Sequence, residues 1–360
     1  MSSTYNDAVV RLNGVLTTDR STTATYIDVN GNLATAGINE LRMNEKGALI
    51  EGESTNLMLN SNRMNTPQAV STDITYNTGT LPNGDNYHTS NYQATAAGRV
   101  YQLITSQIVE EGTYTFSIML WCASGEETLR LAGYDKGSYI IGNDFTIDTI
   151  PRFYQFTFET TLDGAQYVAI YNDSAGTAKT INWCNAQVEK LPFASSYIPT
   201  LTLPITRGAD NVSIPFEDNM DLTNYTVSSE VELLSAPSVY EGDDRRKHIY
   251  NLVNLDFNSM FIFVDTLQVL GSYNEATLGG SSNSVGLIST CTVTRSPESL
   301  KTYLNGVLGA TVVENPNPFP SSPTTAINIG RLSNSRYLWG YLKDFKIFDV
   351  ALSADDISML

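Results

Sequence analysis

The sequence predicts an all-β protein, two antiparallel β-sandwiches preceded by an extended N-terminal arm. Three observations carry that expectation. Twenty Tyr and thirteen Phe, set among abundant Thr, Ser and Asn, suit half-buried pleated sheets. Side-chain character alternates residue by residue in one run after another, and clusters of Gly, Asn and Asp separate the runs. Helical periodicity with caps is nearly absent, and its one good instance is the C-terminal "ADDISML", where Ser353 stands as N-cap ahead of acids in the first turn.

In chain order, residues 1–47 are polar and Thr/Asn-rich with little periodicity, which reads as an arm or anchor. Residues 48–200 hold the first strand-rich block. In "GTYTFSIMLWCA", Tyr114, Phe116, Ile118 and Leu120 share one face while Thr115, Ser117, Met119 and Trp121 share the other. "RFYQFTFET", "AQYVAIYND" and "KTINWCNAQVE" follow as further strands. Residues 201–212, with Pro204, read as a linker, and 213–360 as the second sandwich. There "KTYLNGVLGATV" is a hairpin sequence, because Asn305-Gly306 supplies the positive-φ residues of a two-residue turn.

Composition narrows function. Asp and Glu outnumber Lys and Arg by 38 to 21, a formal net charge of −17, which opposes binding to nucleic acid phosphates or an anionic membrane surface. No apolar run has the length of a membrane span and no basic-then-apolar leader is visible, so the expectation is a soluble product of the cytoplasm. Cys122, Cys184 and Cys291 are too few and too scattered for a disulfide framework or zinc site, and read as buried thiols.

The entry "ATYIDVNGNLATAGINELRMN" with "GALIEGESTNLMLNS" resembles the start of a module found in bacteriophage tail and virion proteins, marked by Ile-Glu-Gly-x-x-Thr-Asn-Leu. "AQVEKLPFASSYIPT" and the following Arg-x-Ala-Asp resemble that module's exit. "GTYTFSIMLWCA" resembles a central strand of carbohydrate-binding-module-like jelly rolls. "YLNGV", "INIGRL" and "GYLKDFKIFDVALSADDISML" resemble concanavalin A-like, laminin-G-type sandwiches. The resemblance implies two jelly-roll-type sandwiches in a virion protein, structural and adhesive. A tail fibre or surface appendage contacting host glycans is the leading reading; a head fibre or capsid decoration protein is the alternative. It further implies a place on the virion surface after assembly in the host cytoplasm, contacts with other virion proteins through the arm, and a homo-oligomer such as a trimer.

Candidate sites are few. Arg207 and Asp210 are expected to pin the "SSYIPT" strap by hydrogen bonds, a structural role. For glycan contact the expected platform is Trp121, with Met119 and Ser117 beside it, because a core face through Phe116 turns Trp121 outward. The competing expectation is that the arm or a neighbouring subunit covers it. Trp183 is expected at a sheet edge and Trp339 closing the second sandwich. His88 and His248 sit in polar sequence and read as surface side chains, without metal or nucleophile motifs. A glycosidase needs paired carboxylates; Glu230 and Glu232 in "SSEVELLS" share a strand face, read here as the wet face of an edge strand. No enzyme activity and no cofactor are therefore expected. The acidic loop around Asp243 and Asp244 could hold calcium, although Arg245, Arg246 and Lys247 neutralise it.

Overall fold

The computed structural model describes residues 16–360 except 95–96, 136, 173–177, 222, 235–245, 253–258, 264–267, 274–275, 278–287, 313–324 and 333–335. The chain is nearly all β, as its alternation requires, and divides into two compact units. The described part of Met1–Thr23 joins Ala36–Glu53 and Gly208–Leu360 in a C-terminal unit; Ala24–Thr35 joins Ser54–Arg207 in a middle unit.

The middle unit is an antiparallel sandwich. One sheet has the order Arg152–Thr160, Gly112–Cys122, Lys179–Glu189, Asn86–Tyr92, Thr72–Thr80. The other runs Ser138–Ile141, Glu127–Asp135, Tyr167–Asn172, Gly98–Leu103, Gln68–Val70, with Phe145–Ile147 also on Glu127–Asp135. The pleat sends Phe116, Ile118 and Leu120 inward from the first sheet to pack with Val100, Leu131, Val168 and Ile170 in one core.

The entry and exit signatures of the sequence meet in this unit, and their polar residues are buried fasteners. Asn56 is fully buried; its Oδ1 accepts from the Met58 and Val188 amides at 2.9 and 3.1 Å, while its Nδ2 donates to the Ile198 carbonyl at 2.8 Å. Glu189 accepts from Ser54 Oγ at 2.5 Å, Gln187 Nε2 at 2.7 Å and the Ser195 amide at 2.9 Å. Ser61 Oγ bonds the Tyr197 hydroxyl at 2.6 Å and accepts from the Thr200 amide at 2.8 Å. A buried carboxylate or carboxamide is costly without partners, and here each has several. The "SSYIPT" segment is thus stitched down by side chains where Pro199 denies it a ladder. Beyond Pro204 the chain returns to pairing, Ile205–Arg207 against Ser54–Asn56, so the expected free linker 201–212 is in part a strand.

The C-terminal unit is a second antiparallel sandwich. Its sheets have the orders Thr17–Asp19, Asn211–Pro215, Ala326–Ile329, Arg246–Leu252, Ser259–Phe263, Gln268–Tyr273, Ala276–Thr277 and Val307–Val312, Ser299–Leu304, Ser289–Ser296, Tyr225–Leu233, Gly340–Phe348, Gly47–Ile50, Arg42–Asn44. Val212, Val227, Ile249, Val293, Ile327 and Ile347 fill the core. Asn305 and Gly306 take φ of 51° and 77° in the expected hairpin, and Ser353 caps Ala354–Ile357 in a capping box with Asp356.

The described part of residues 1–47 is not an arm. Thr17–Asp19 and Arg42–Asn44 are sheet strands of the C-terminal unit, and Ala24–Ile27 pairs with Leu33–Ala36 as a hairpin. The boundary expected at 48 also moves, because Gly47–Ile50 pairs with Gly340–Phe348 and Ile50 lies in the C-terminal core. Short strands lack a visible period, and Thr17–Asp19 and Gly47–Ile50 find their partners far along the chain, in Asn211–Pro215 and Gly340–Phe348, which is why the sequence hides them.

Four charges make the fastening at this N-terminal stretch. Arg20 Nη1 meets Asp210 Oδ1 at 2.6 Å, Arg42 Nη1 meets Glu51 Oε2 at 2.6 Å, and Arg42 Nη2 pairs with Asp210 Oδ2; all four side chains are fully buried. Arg20 also donates to the carbonyls of Gly37 and Glu40 at 2.7 and 2.9 Å, and Asp210 Oδ2 accepts from the Glu51 amide at 2.9 Å. Burial opposes the Arg42 charge, but Glu51 and Asp210 overcome it and hold its pKa above the ordinary value. Breaking a buried pair by removing one partner is far costlier than the pair is worth intact. Asp210→Ala should therefore destabilise the C-terminal unit by about 3–5 kcal/mol, read as a lowered urea midpoint; a loss below about 1 kcal/mol would show the cluster to be dispensable.

Candidate functional site: an aromatic face on the middle unit

On the sheet carrying Gly98–Leu103, Glu127–Asp135, Ser138–Ile141 and Tyr167–Asn172, the period of two separates the core from the opposite face. Val100, Leu131, Val168 and Ile170 point inward. Arg99, Tyr101, Tyr134, Tyr139, Tyr167 and Tyr171 point to the other face, and all six are half-buried. The register brings them together: Arg99 lies opposite Tyr171, Tyr134 opposite Tyr167, and Tyr134 opposite Tyr139.

The rings form a continuous patch. Centroids are 5.3 Å apart for Tyr101–Tyr167, 5.1 Å for Tyr134–Tyr167, 4.8 Å for Tyr134–Tyr139 and 5.7 Å for Tyr139–Tyr171. Three of the four are edge contacts, the arrangement favoured by ring quadrupoles. Beneath them Ala132 and Ala169, side by side in register, are wholly covered. Small side chains there leave room for the tyrosines to lie over the sheet. The Arg99 guanidinium sits 5.2 Å from the Tyr139 centroid and 5.7 Å from that of Tyr101. At the margin, Tyr101 Oη donates to Gln68 Oε1 at 2.5 Å, and Arg130 Nε pairs with Asp144 at 2.5 Å. Burial raises the pKa of Tyr139 above its ordinary value, and Arg99 pulls the other way, so its hydroxyl is protonated at neutral pH. Flat rings with phenolic donors and one cation can stack on a ligand's apolar face and hydrogen-bond its hydroxyls; nothing in the patch is a nucleophile or general base near neutral pH.

The expected platform lies elsewhere and is closed. Trp121 is only 7% exposed, Met119 4% and Ser117 2%. Among the described residues, the cover of Trp121 comes from its own unit. Tyr87 meets it edge-on at 4.9 Å, and Leu81 and Phe153 pack on the same small cluster with Met119 and Cys184. Strand alternation gave the correct side for Trp121 and could not show that the segment between Thr72–Thr80 and Asn86–Tyr92 folds over it. Trp183 is not at an edge: it is fully buried in the core on a central strand, donating to Ser90 Oγ at 2.8 Å. Trp339 is buried, and a Cβ on Gly52 would come within 2.5 Å of its ring. The bonds of Asp210 run to Arg20, Arg42 and the Glu51 amide and not to the "SSYIPT" strap it was expected to pin, and Arg207 is buried in its strand.

Both histidines are buried on strands, not solvated. His88 packs 4.9 Å from the Trp183 ring and its Nδ1 accepts from the Asn77 amide at 3.0 Å. Burial, with help from Arg63, lowers its pKa to about 4. Glu230 and Glu232 share a face as expected, but their strand is central, between Ser289–Ser296 and Gly340–Phe348, and Glu232 is held by Lys46 at 2.6 Å. The three cysteines are buried and free, and burial pushes the Cys291 thiol up to about 12. Asp243 and Asp244 lie outside the described residues. Among the described residues no three His, Cys, Asp or Glu side chains group as a metal site, and no helix is long and apolar enough to cross a membrane.

The tyrosine face went unread because its members are spread over four strands. The signal was present: "AQYVAIYND" alternates Tyr167 and Tyr171 with Val168 and Ile170, putting aromatics where a solvent-facing row is usually polar.

The family match bears on the other unit. Residues 206–358 match the family model Laminin_G_3, the concanavalin A-like lectin/glucanases superfamily. That segment supplies most strands of the C-terminal sandwich. No curated protein matches the chain. Among solved structures, domain 4 of an extracellular arabinanase from Geobacillus stearothermophilus, in complex with arabinotriose, is similar at 12% identity and TM-score 0.32, covering 42% of this chain and 72% of that one. The binding domain of botulinum neurotoxin serotype D is similar at 16% identity and TM-score 0.32, over 42% of this chain and 40% of that one. Botulinum neurotoxin type C, in a structure concerned with cell entry through two ganglioside molecules, aligns at 16% identity and TM-score 0.31, over 42% and 39%.

Two outcomes follow from this geometry. Trp121→Ala should cost about 3–5 kcal/mol, the range for emptying a buried aromatic site; a melting temperature within a degree or two of the parent would mean the ring is not packed. His88 is depressed in the fold, so the unfolded chain takes up its proton first as pH falls from about 6.5 towards 4. Its contribution to stability is present above that window and lost through it. An NMR titration should find the His88 ring neutral until about pH 4; a midpoint near 6.5 would contradict the buried placement.

Proposed function

We propose that this protein is a non-enzymatic, glycan-adhesive component of a bacteriophage virion, a tail fibre or related surface appendage, in which the middle unit carries the sugar-binding face. The observation that carries the adhesive part is the patch of five tyrosines around Arg99 on one sheet. A sugar ring offers an apolar C–H face and a rim of hydroxyls, and half-exposed phenols answer both. A flat sheet face also suits an extended chain of sugars better than a buried small metabolite.

Two further observations support the reading. The C-terminal sandwich matches a superfamily that includes lectins. The entry and exit signatures resembling phage virion modules are satisfied here by buried fasteners at Asn56, Glu189 and Asp210, so that the resemblance extends to residues with a structural reason to be present. The non-enzymatic part is supported by Glu232, half of the carboxylate pair that the sequence offers in "SSEVELLS", being engaged by Lys46. Assembly with other virion proteins and with further copies of the chain belongs to the same proposal.

The test is a double substitution on the patch. Tyr134→Ala with Tyr167→Ala removes two half-exposed rings whose mutual contacts are worth only about 0.5–1.5 kcal/mol, so the protein should stay folded. Retention on host cells and on a glycan array should fall at least roughly tenfold. Unchanged retention with a folded double variant would place any glycan contact off this face.

A further inference from the structure

We infer that the tyrosine face selects acidic glycans, those carrying a carboxylate, sulfate or phosphate, and that Arg99 is the residue that reads the charge. This rests on the glycan-binding reading of the same face and adds the ligand's chemical class.

The argument begins with what Arg99 lacks. The chain carries 38 acids against 21 bases, so an arginine with no carboxylate beside it is unexpected. Two other arginines on this unit's strands are paired: Arg130 with Asp144 at 2.5 Å and Arg152 with Asp148 at 2.7 Å. Arg99 forms no ion pair among the described residues, and its Nε is buried without a hydrogen-bond partner there. Its register neighbours are Val70 on one side and Tyr171 on the other, neither an acceptor of charge. What holds the guanidinium is instead the rings of Tyr139 and Tyr101.

Such a setting keeps the planar fork oriented while leaving its hydrogen bonds unspent. Ring contact satisfies the cation only in part, and the half-buried position lowers the water competing for it. A carboxylate or phosphate arriving on this face meets a pre-oriented bidentate donor, the geometry for which arginine is suited and lysine is not. The tyrosines around it add hydroxyl donors and stacking surface, so that an acidic sugar is read by two features at once. The overall charge of −17 opposes anionic ligands elsewhere on the chain. It disfavours nonspecific capture of polyanions, so acidic ligands are taken only where one cation is locally exposed.

The experiment uses the full chain on an array of matched pairs: 3′-sialyllactose and its methyl ester, tetragalacturonate and its methyl ester, and a sulfated oligosaccharide beside its unsulfated parent. The parent protein should retain acidic members roughly tenfold better than the neutral ones. Arg99→Gln should lower the retention of the acidic members by roughly tenfold more than that of their neutral partners, bringing each pair level, and Arg99→Lys should restore part of the preference without the bidentate component. Equal retention of both members of each pair by the parent protein overturns the charge inference and leaves the glycan-binding face standing. Preference for acidic glycans that survives in a folded Arg99→Gln variant overturns the assignment to Arg99. No retention of any glycan by the parent protein overturns the functional reading, and the inference with it.

Discussion

Asp210 carries the constraint on which the C-terminal unit depends. Its two carboxylate oxygens each receive one arginine, Arg20 and Arg42, and Oδ2 also accepts the amide of Glu51. Three stretches separated by as many as 190 positions thereby converge on one buried group. An isolated charge at such depth would be prohibitive; four charges and several carbonyls together make it tolerable. The cluster's value is specificity of placement. It accompanies the arrangement in which Arg42–Asn44 and Gly47–Ile50 extend the sheet that holds Gly340–Phe348.

The middle unit solves the same problem with neutral partners. Asn56 and Glu189 take up backbone and side-chain donors from the chain's exit, so "SSYIPT" needs no ladder. The residues of the entry and exit motifs are accounted for by this stitching and leave the sheet faces free to differ. The proposed site is then displaced from the most distinctive motif to a face with no motif, where Tyr101, Tyr134, Tyr139, Tyr167 and Tyr171 gather.

That displacement decides how far the site was legible. Trp121 was singled out because it is a large ring on the non-core face of a recognisable strand, and its side was read correctly. Its cover, Leu81 and Tyr87, comes from a segment some thirty-five to forty residues earlier whose path alternation does not encode. The tyrosines, by contrast, are individually ordinary and collectively informative. Tyr134 and Tyr139 meet Tyr167 and Tyr171 only because Glu127–Asp135 pairs with both Ser138–Ile141 and Tyr167–Asn172 in one register. His88 was misread for a related reason: polar neighbours on its strand suggested solvent, while Trp183 across the register buried it.

The sequence by itself determined what depends on near neighbours. Period-two alternation set the all-β class and the inward row Phe116, Ile118, Leu120; Asn305-Gly306 set a hairpin; Ser353 set a helix start. Each is a property of a few consecutive residues, because backbone torsions and side-chain direction are local. Only the tertiary structure decided which faces are covered, which charges are shared and which rings touch. Asp210 must wait for Arg20 and Arg42, and Arg99 must wait for Tyr139, because such contacts are set by strand register across long separations. Register follows the whole core's packing, and a slip of one residue in a strand would turn that strand's tyrosines inward.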